Sequence, residues 1–188
     1  MSLRSHLRRV WKDPTESLDS LWKERLIQWR KDPATLRLER PTRLDRAHAL
    51  GYKAKNGILV VRQRVLRGGH VRTRPGGRKA KRMSVKRILH KGYQQIAEER
   101  AAKSFKNCEV LNSYWVAQDG QHYWFEIILV DRAHPEVIAD KNLSWVKTTR
   151  GRIYRGLTSS AKGTRGLSRK GKGAEHIRPS RRANLRKK

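Results

Sequence analysis

The feature that most constrains this chain is the grouping of its charges. Residues 46–97 contain 15 basic side chains and no carboxylate, and residues 147–188 contain 15 basic side chains against the single acid Glu175. Residues 98–146 reverse the balance with 8 acidic and 5 basic groups. Because dense like charges repel, much of the two basic stretches is expected to be poorly ordered without a partner. The pattern predicts a small, near-neutral core that carries two cationic segments.

The formal net charge of +30 requires a polyanionic partner, and nucleic acid presents phosphates at the necessary density. Structured RNA is favoured over duplex DNA, because irregular grooves and loops accommodate threading cationic segments. The 188 residues are too few for a large multidomain enzyme, and the lone Cys108 cannot form an internal disulfide. No apolar run approaches the roughly 18 to 20 residues that cross a bilayer. We therefore expect a cytoplasmic protein with no membrane partner.

Local patterns predict two helices and a strand in the core. Asp13-Pro14 is typical of a helix start and Asp32-Pro33 of its end, with an apolar stripe between them. Residues 94–106 are rich in helix formers, and residues 56–66 are rich in β-branched residues bracketed by glycines. The first stripe contains Leu18, Leu21, Trp22, Leu26 and Trp29, and core packing is favoured over base stacking for its tryptophans.

Asp119-Gly120 lies between two β-rich runs and predicts a hairpin with a two-residue turn. That turn would pair Trp115 with Trp124 and Tyr114 with Phe125. One face would then be apolar and the other mixed. The apolar face would contain Val110, Tyr114, Val116, Tyr123, Phe125, Ile127 and Leu129, and the mixed face Trp115, His122, Trp124 and Glu126.

Together these elements predict an α+β fold: a small antiparallel β-sheet with packed helices and long basic, RNA-penetrating extensions. Residues 1–146 would form the core, including a basic, glycine-rich insertion at about 67–92. Residues 147–188 would form a C-terminal extension.

The sequence offers little catalytic chemistry. The phosphate-loop-like run 166–173 has Gly173 where a magnesium-binding hydroxyl is needed, and the seven histidines show no metal-binding spacing. Glu126 and Asp131 are five residues apart on or just after a predicted strand, so their side chains would point to opposite faces. We predict no catalytic residue, no metal, no cofactor and no small-molecule substrate.

Glycine-punctuated basic stretches are instead expected to bind phosphates, because glycine lets the backbone approach closely while arginine supplies forked donors. On residues 56–66, alternation separates a buried side from a partly cationic side that would face RNA. Replacing Arg62 and Arg64 with alanine is therefore expected to weaken RNA binding without unfolding the core. The candidates from these stretches and that strand are Arg62, Arg64, Arg67, Gly68, Gly69, Arg72, Arg74, Arg78, Lys79, Arg155, Arg165, Arg169, Lys170, Lys172, Arg181 and Arg182.

Seven short strings resemble one family, the archaeal and eukaryotic large-subunit ribosomal proteins designated 15e. The two most specific are Gly51-Tyr52-Lys53-Ala54-Lys55 and Val110-Leu111-Asn112-Ser113-Tyr114. The others are residues 40–43 (RPTR), 97–101 (AEERA), 143–145 (LSW), 155–158 (RGLT) and 171–173 (GKG).

The resemblance implies a non-catalytic constituent of the large ribosomal subunit that binds its large rRNA and neighbouring ribosomal proteins. By position, it extends the RNA-binding set to Arg40, Arg43, Lys53 and Lys55, and it also covers Arg155, Arg165 and Lys172. Two alternatives remain open on the residues themselves: a DNA-compacting basic protein and, with less support, an RNA-processing enzyme that uses Glu126 or Asp131.

Overall fold

A computed structural model describes residues 2–69 and 91–168 of the chain. They form one antiparallel sheet, six helices and a short 3₁₀ turn, so the predicted α+β class is confirmed. The sheet order is β1-β2-β4-β3. The strands are β1 (Thr35–Leu38), β2 (Ile58–Leu66), β3 (Cys108–Gln118) and β4 (His122–Asp131); the helices are α1 (Leu3–Val10), α2 (Pro14–Lys31), α3 (Leu44–Ala49), α4 (Tyr93–Ser104), α5 (Pro135–Ala139) and α6 (Ser159–Thr164), and the 3₁₀ turn is Ser144–Lys147.

Both faces of the sheet are covered by apolar layers. One layer is rich in tryptophan, and the rings of Trp11 and Trp29 each make an edge-to-face contact with Trp22, at centroid distances of 6.1 and 6.5 Å. The second layer is mostly aliphatic and contains Ala97 and Ala101 of α4. The prediction that the α2 tryptophans pack in the core is confirmed.

The predicted bounds of α2 are confirmed, but its apolar stripe is only partly correct. Asp13 occupies the N-cap position without a side-chain cap hydrogen bond, and the helix ends before Asp32. Asp19 has a φ of 30° and interrupts the helical geometry. Because this break precedes Leu21, the regular spacing does not run through it, and Leu21 is 43% exposed.

The predicted second helix is confirmed as α4, with Ala97 and Ala101 fully buried and Ile96 and Phe105 packed against the same layer. The same helix also buries Glu98, which helix propensity alone does not indicate.

The hairpin between β3 and β4 is confirmed, but the predicted pairing near its turn is wrong. Ala117 pairs with Trp124 because the chain turns one residue later than predicted: Gln118 lies opposite Tyr123, and the Asp119 N–H donates to the His122 carbonyl at 2.9 Å. Further from the turn, β3 contains irregularities between Trp115 and Ala117 and between Val110 and Asn112, and the first of these places Trp115 opposite Phe125. An extra residue in one strand moves the following side chains to the opposite face. Tyr114 and Val116 therefore lie in the tryptophan layer, across the sheet from Val110, Phe125, Ile127 and Leu129.

The predicted division of β2 into a buried side and an open cationic side is also wrong. Val61 and Val65 lie in the aliphatic layer, whereas Val60 lies in the tryptophan layer. Arg62 shares the Val60 side and is only 7% exposed. Strand β2 is central in the sheet, and its side chains enter both apolar layers, so neither of its faces is open.

Residues 147–168, which belong to the predicted extension, pack against the core through two carboxylates. Glu109 of β3 accepts hydrogen bonds from the backbone N–H groups of Gly151 (2.7 Å) and Arg152 (3.1 Å). Glu98 of α4 accepts hydrogen bonds from the hydroxyls of Thr158 (2.6 Å) and Ser160 (2.8 Å). The division at residue 146 stays a prediction, but hydrogen bonds to Glu109 of β3 and Glu98 of α4 hold residues 151–160 against the core.

Replacing Glu98 with alanine should loosen this segment. The change leaves the buried hydroxyls of Ser113 and Thr158 and the half-buried hydroxyl of Ser160 without their acceptor, at a cost of about 2 kcal/mol of unfolding free energy. Limited trypsin digestion should cleave within residues 147–168 several-fold faster than in the wild type. Glu136→Ala, which removes an exposed glutamate bonded to Asn56, is the matched control and should digest like the wild type. Equal cleavage rates in all three proteins would contradict the anchoring role of Glu98.

Candidate nucleic-acid interface

The end of β2 presents the first predicted phosphate-binding residues in a fixed geometry. The guanidinium of Arg67 lies over the Tyr123 ring at 4.9 Å and donates to the carbonyl of Asp119 at 2.6 Å. The Tyr93 hydroxyl accepts from the Gly68 N–H at 2.9 Å and donates to the Gly68 carbonyl at 3.1 Å. Gly68 has a φ of +107°, a region that favours glycine. Arg67, Gly68 and Gly69 are exposed, so a fixed, cationic surface marks this point.

Lys53 and Lys55 lie side by side because both bind one carboxylate. The Asp140 Oδ2 atom is 2.8 Å from Lys53 Nζ and 3.4 Å from Lys55 Nζ. The hydrogen bond from Lys53 and the backbone N–H of Asn142 lower the pKa of Asp140 from 3.8 to about 2. About half of each lysine side chain remains exposed, so both ammonium groups are positioned near the surface.

The other predicted residues near the amino-terminal helices differ in exposure. Arg40 is exposed. The Arg43 side chain is only 18% exposed, because its guanidinium lies 5.1 Å above the Trp11 ring and 3.4 Å from Asp45.

Arg155 and Arg165 are brought together in the carboxyl-terminal part of the described chain. The Arg165 Nη1 atom donates to the carbonyl of Gly156 at 3.0 Å, whereas the Arg155 side chain is exposed. A Cβ atom on Gly156 would lie 2.5 Å from Arg165 Cδ, and its φ is +70°. Glycine at this position therefore permits the close approach of Arg165.

Arg62 is buried and Arg64 is half-buried against the end of α2, which corrects the expectation of an open, RNA-facing strand side. Arg62 pairs with Asp32 and lies 4.6 Å above the Trp29 ring. Burial lowers the pKa of its guanidinium, and Asp32 and Glu126 oppose this effect. Arg64 donates to the carbonyl of Arg30 at 2.5 Å. Sequence alternation missed this because helix α2 covers the same face of β2.

Nine of the predicted RNA-binding residues lie outside the described residues and stay predictions. They are Arg72, Arg74, Arg78, Lys79, Arg169, Lys170, Lys172, Arg181 and Arg182.

All eight carboxylates of the net-acidic segment, residues 98–146, accept hydrogen bonds from within the chain. Glu126 is fully buried and accepts from the Thr42 N–H at 3.1 Å and the Tyr114 hydroxyl at 2.5 Å. Burial raises the pKa of Glu126, although these hydrogen bonds oppose the rise. Asp119 accepts from Arg30 at 2.9 Å. The other six also have donors, namely Glu98, Glu99, Glu109, Asp131, Glu136 and Asp140.

A surface groove of about 380 Å³ lies between the end of α4, the start of β3 and residues 150–154. Its lining includes four cationic side chains that are not among the sequence-predicted phosphate-binding residues: Lys103, Lys106, Arg132 and Arg150. Three of them belong to the net-acidic segment, where averaging the charge concealed them. Only their tertiary proximity distinguishes them from ordinary surface charges.

Metal ligands do not cluster in the described residues, and the two carboxylates considered for catalysis already have hydrogen-bond donors. Within residues 2–69 and 91–168, no group of three His, Cys, Asp or Glu side chains could hold a metal ion. Glu126 has no solvent exposure, and Asp131 accepts from the Asn107 amide at 3.2 Å. None of the helices found in these ranges is sufficiently long and apolar to span a bilayer.

Comparison with known proteins adds an independent finding. A family model described as Ribosomal L15 matches residues 2–184. The chain is 52% identical over 191 residues to a Methanocella arvoryzae protein named large ribosomal subunit protein eL15, covering 99% of this chain and 97% of that protein. It is 52% identical over 182 residues to a Methanocorpusculum labreanum protein of the same name, covering 95% and 94%, respectively.

Replacing Arg62 with alanine should destabilise the fold. The change leaves the Asp32 carboxylate without its guanidinium donor and removes a cation–π contact, at a cost of about 2 to 3 kcal/mol. Urea unfolding followed by tryptophan fluorescence measures the difference. Arg37→Ala, an exposed change on neighbouring β1, should shift stability by less than about 0.5 kcal/mol. A stable Arg62→Ala protein that binds RNA weakly would instead restore the RNA-facing assignment.

The stability difference between the wild type and Asp140→Asn should depend on pH. Because the folded-state pKa of Asp140 is lowered to about 2, its stabilising contribution is present above pH 3.8 and is lost as pH falls towards 2. Urea unfolding between pH 2 and pH 7 should show the two proteins converging at the acidic end. Lys53→Gln removes the main donor and should converge with the wild type in the same range. A difference that stays constant across this range would refute the pairing.

Proposed function

Because the chain belongs to the ribosomal L15e family, as its sequence strings indicated, we propose that it is a structural constituent of the large ribosomal subunit. In this role it binds large-subunit rRNA in the cytoplasm and contacts neighbouring ribosomal proteins. It stabilises the folded RNA by neutralising phosphates and carries out no reaction.

The observation that supports phosphate neutralisation is the internal use of the acidic groups. Every carboxylate of residues 98–146 has donors within the chain, yet the whole protein has a net charge of +30. Arg40, Arg67 and Arg155 are exposed at separate places around the core. Phosphates of a folded RNA that surrounds the core would meet these cations from several directions.

The two alternatives have less support. A DNA-compacting protein would share the charge, but the family match favours the ribosome. An enzyme built on Glu126 would need that carboxylate to reach a substrate, and it is fully buried against Tyr114 and Thr42.

Binding to large-subunit rRNA should depend steeply on salt. If about 6 to 10 phosphates are contacted, affinity falls by about 10³ to 10⁵ between 50 and 200 mM monovalent salt. Filter binding of the full chain to a large-subunit rRNA transcript at several salt concentrations measures this slope.

Competition with duplex DNA of equal phosphate content separates the alternatives. Structured rRNA should compete at least tenfold better than the duplex at equal salt. Equal competition would favour the DNA-compacting protein, and a weak salt dependence would contradict phosphate neutralisation.

A further inference from the structure

The groove beside α4 combines two chemical features that suit a nucleotide. Lys103 and Lys106 reach it from the end of α4, Arg132 from the end of β4, and Arg150 from the segment that follows the 3₁₀ turn. Lys103, Lys106 and Arg150 are exposed, and within the described ranges none of them forms an ion pair with a carboxylate. Their charges are therefore available to an anion.

Among the described residues that line the groove, the one acidic side chain already accepts hydrogen bonds from within the chain. Glu109 accepts the Gly151 and Arg152 N–H groups at 2.7 and 3.1 Å, which holds residues 150–154 against the strand. The carboxylate thus shapes one wall of the groove while the four cations dominate its charge. Cys108 also lies in this wall, but burial raises the pKa of its thiol to about 11, so the thiol is neutral.

Tyr154 supplies an aromatic surface at the same groove. The residue is 58% exposed, so a large part of this aromatic side chain is open to solvent. The hydroxyl donates to the Glu99 carbonyl at 3.4 Å, and Gly151 lies beside the ring, with no side chain of its own. An exposed ring that is tethered at its hydroxyl can stack on a base with little loss of side-chain entropy.

We propose that this groove binds one or two unpaired nucleotides of an RNA strand. Their phosphates would contact Lys103, Lys106, Arg132 and Arg150, and one base would stack on Tyr154. The volume of about 380 Å³ is at the small end of the range for ligand pockets, which suits one or two nucleotides rather than a duplex. Cations beside an exposed aromatic ring are the combination by which proteins hold single-stranded nucleic acid. An acidic protein segment would use the cations but would leave the ring without a stacking partner. The assignment rests on the proposed rRNA-binding function and adds a defined contact to it.

Two variants of Tyr154 test the stacking contact in the full-length protein. Tyr154→Ala removes the ring, and Tyr154→Phe keeps the ring while losing the same hydroxyl contact. Stacking contributes about 1 to 3 kcal/mol per base, so the alanine variant should bind the rRNA transcript about 5- to 150-fold more weakly. The slope of affinity against salt should not change, and the phenylalanine variant should bind within about threefold of the wild type.

A charge variant tests the phosphate contacts separately. Lys103→Gln with Lys106→Gln should reduce the salt slope by about 1.4 to 1.8, since each lost phosphate contact reduces it by about 0.7 to 0.9. Both residues are exposed, and urea unfolding should show wild-type stability.

Photo-cross-linking identifies what lies in the groove. With 4-thiouridine in the transcript, a cross-link to Tyr154 is expected in the wild type. The groove assignment is overturned if Tyr154→Ala and Tyr154→Phe bind equally, or if the 4-thiouridine transcript cross-links to the protein elsewhere and never to the groove residues. If the wild type itself binds rRNA without salt dependence, the proposed function fails instead.

Discussion

Buried and half-buried carboxylates are the interactions on which this fold depends. Glu126 sits at the centre of the sheet, opposite Arg62 on β2 and Tyr114 on β3, and also accepts the Thr42 N–H. Glu98 and Glu109 bind the residues that follow the 3₁₀ turn. A buried carboxylate costs free energy to desolvate, and donors from several chain segments compensate for that cost only when the segments are correctly placed. These acids thereby specify how the loops join the sheet.

The charge on the outside of the protein follows from the excess of basic residues. The carboxylates of residues 98–146 accept hydrogen bonds from within the chain and pair with a few cations such as Lys53 and Lys91, yet the whole protein keeps a net charge of +30. Arginines also differ in exposure: Arg62 is buried against the Trp29 ring and Arg152 is half-buried beside Trp145, whereas Arg40 and Arg155 are exposed. A net positive charge of this size requires polyanionic counter-charge, which the proposed rRNA partner would supply.

Local signals in the sequence predicted the helices, strands and turn well, but they predicted less well which face of the sheet each side chain occupies. Asp13-Pro14 and Asp32-Pro33 located α2, and Asp119-Gly120 located the hairpin, because caps and turns depend on a few adjacent residues. The bulges in β3 carry no comparable local signal, so Tyr114 was assigned to the wrong face. Arg62 was predicted to face RNA because strand alternation does not show that α2, which is distant in the sequence, packs over that face of β2. The groove at Tyr154 was missed for the same reason: four chain segments meet there.

Internal carboxylate contacts stabilise the folded core before RNA binds, and RNA phosphates then neutralise the remaining positive charge. Amide hydrogen exchange of the free chain in low salt, without polynucleotide, tests this most directly. Slow exchange is expected for the central amides of β2, β3 and β4 and for the N–H groups of Gly151 and Arg152, which Glu109 binds. Rapid exchange at all of these amides until rRNA is added would show that RNA creates the core, and would contradict the account.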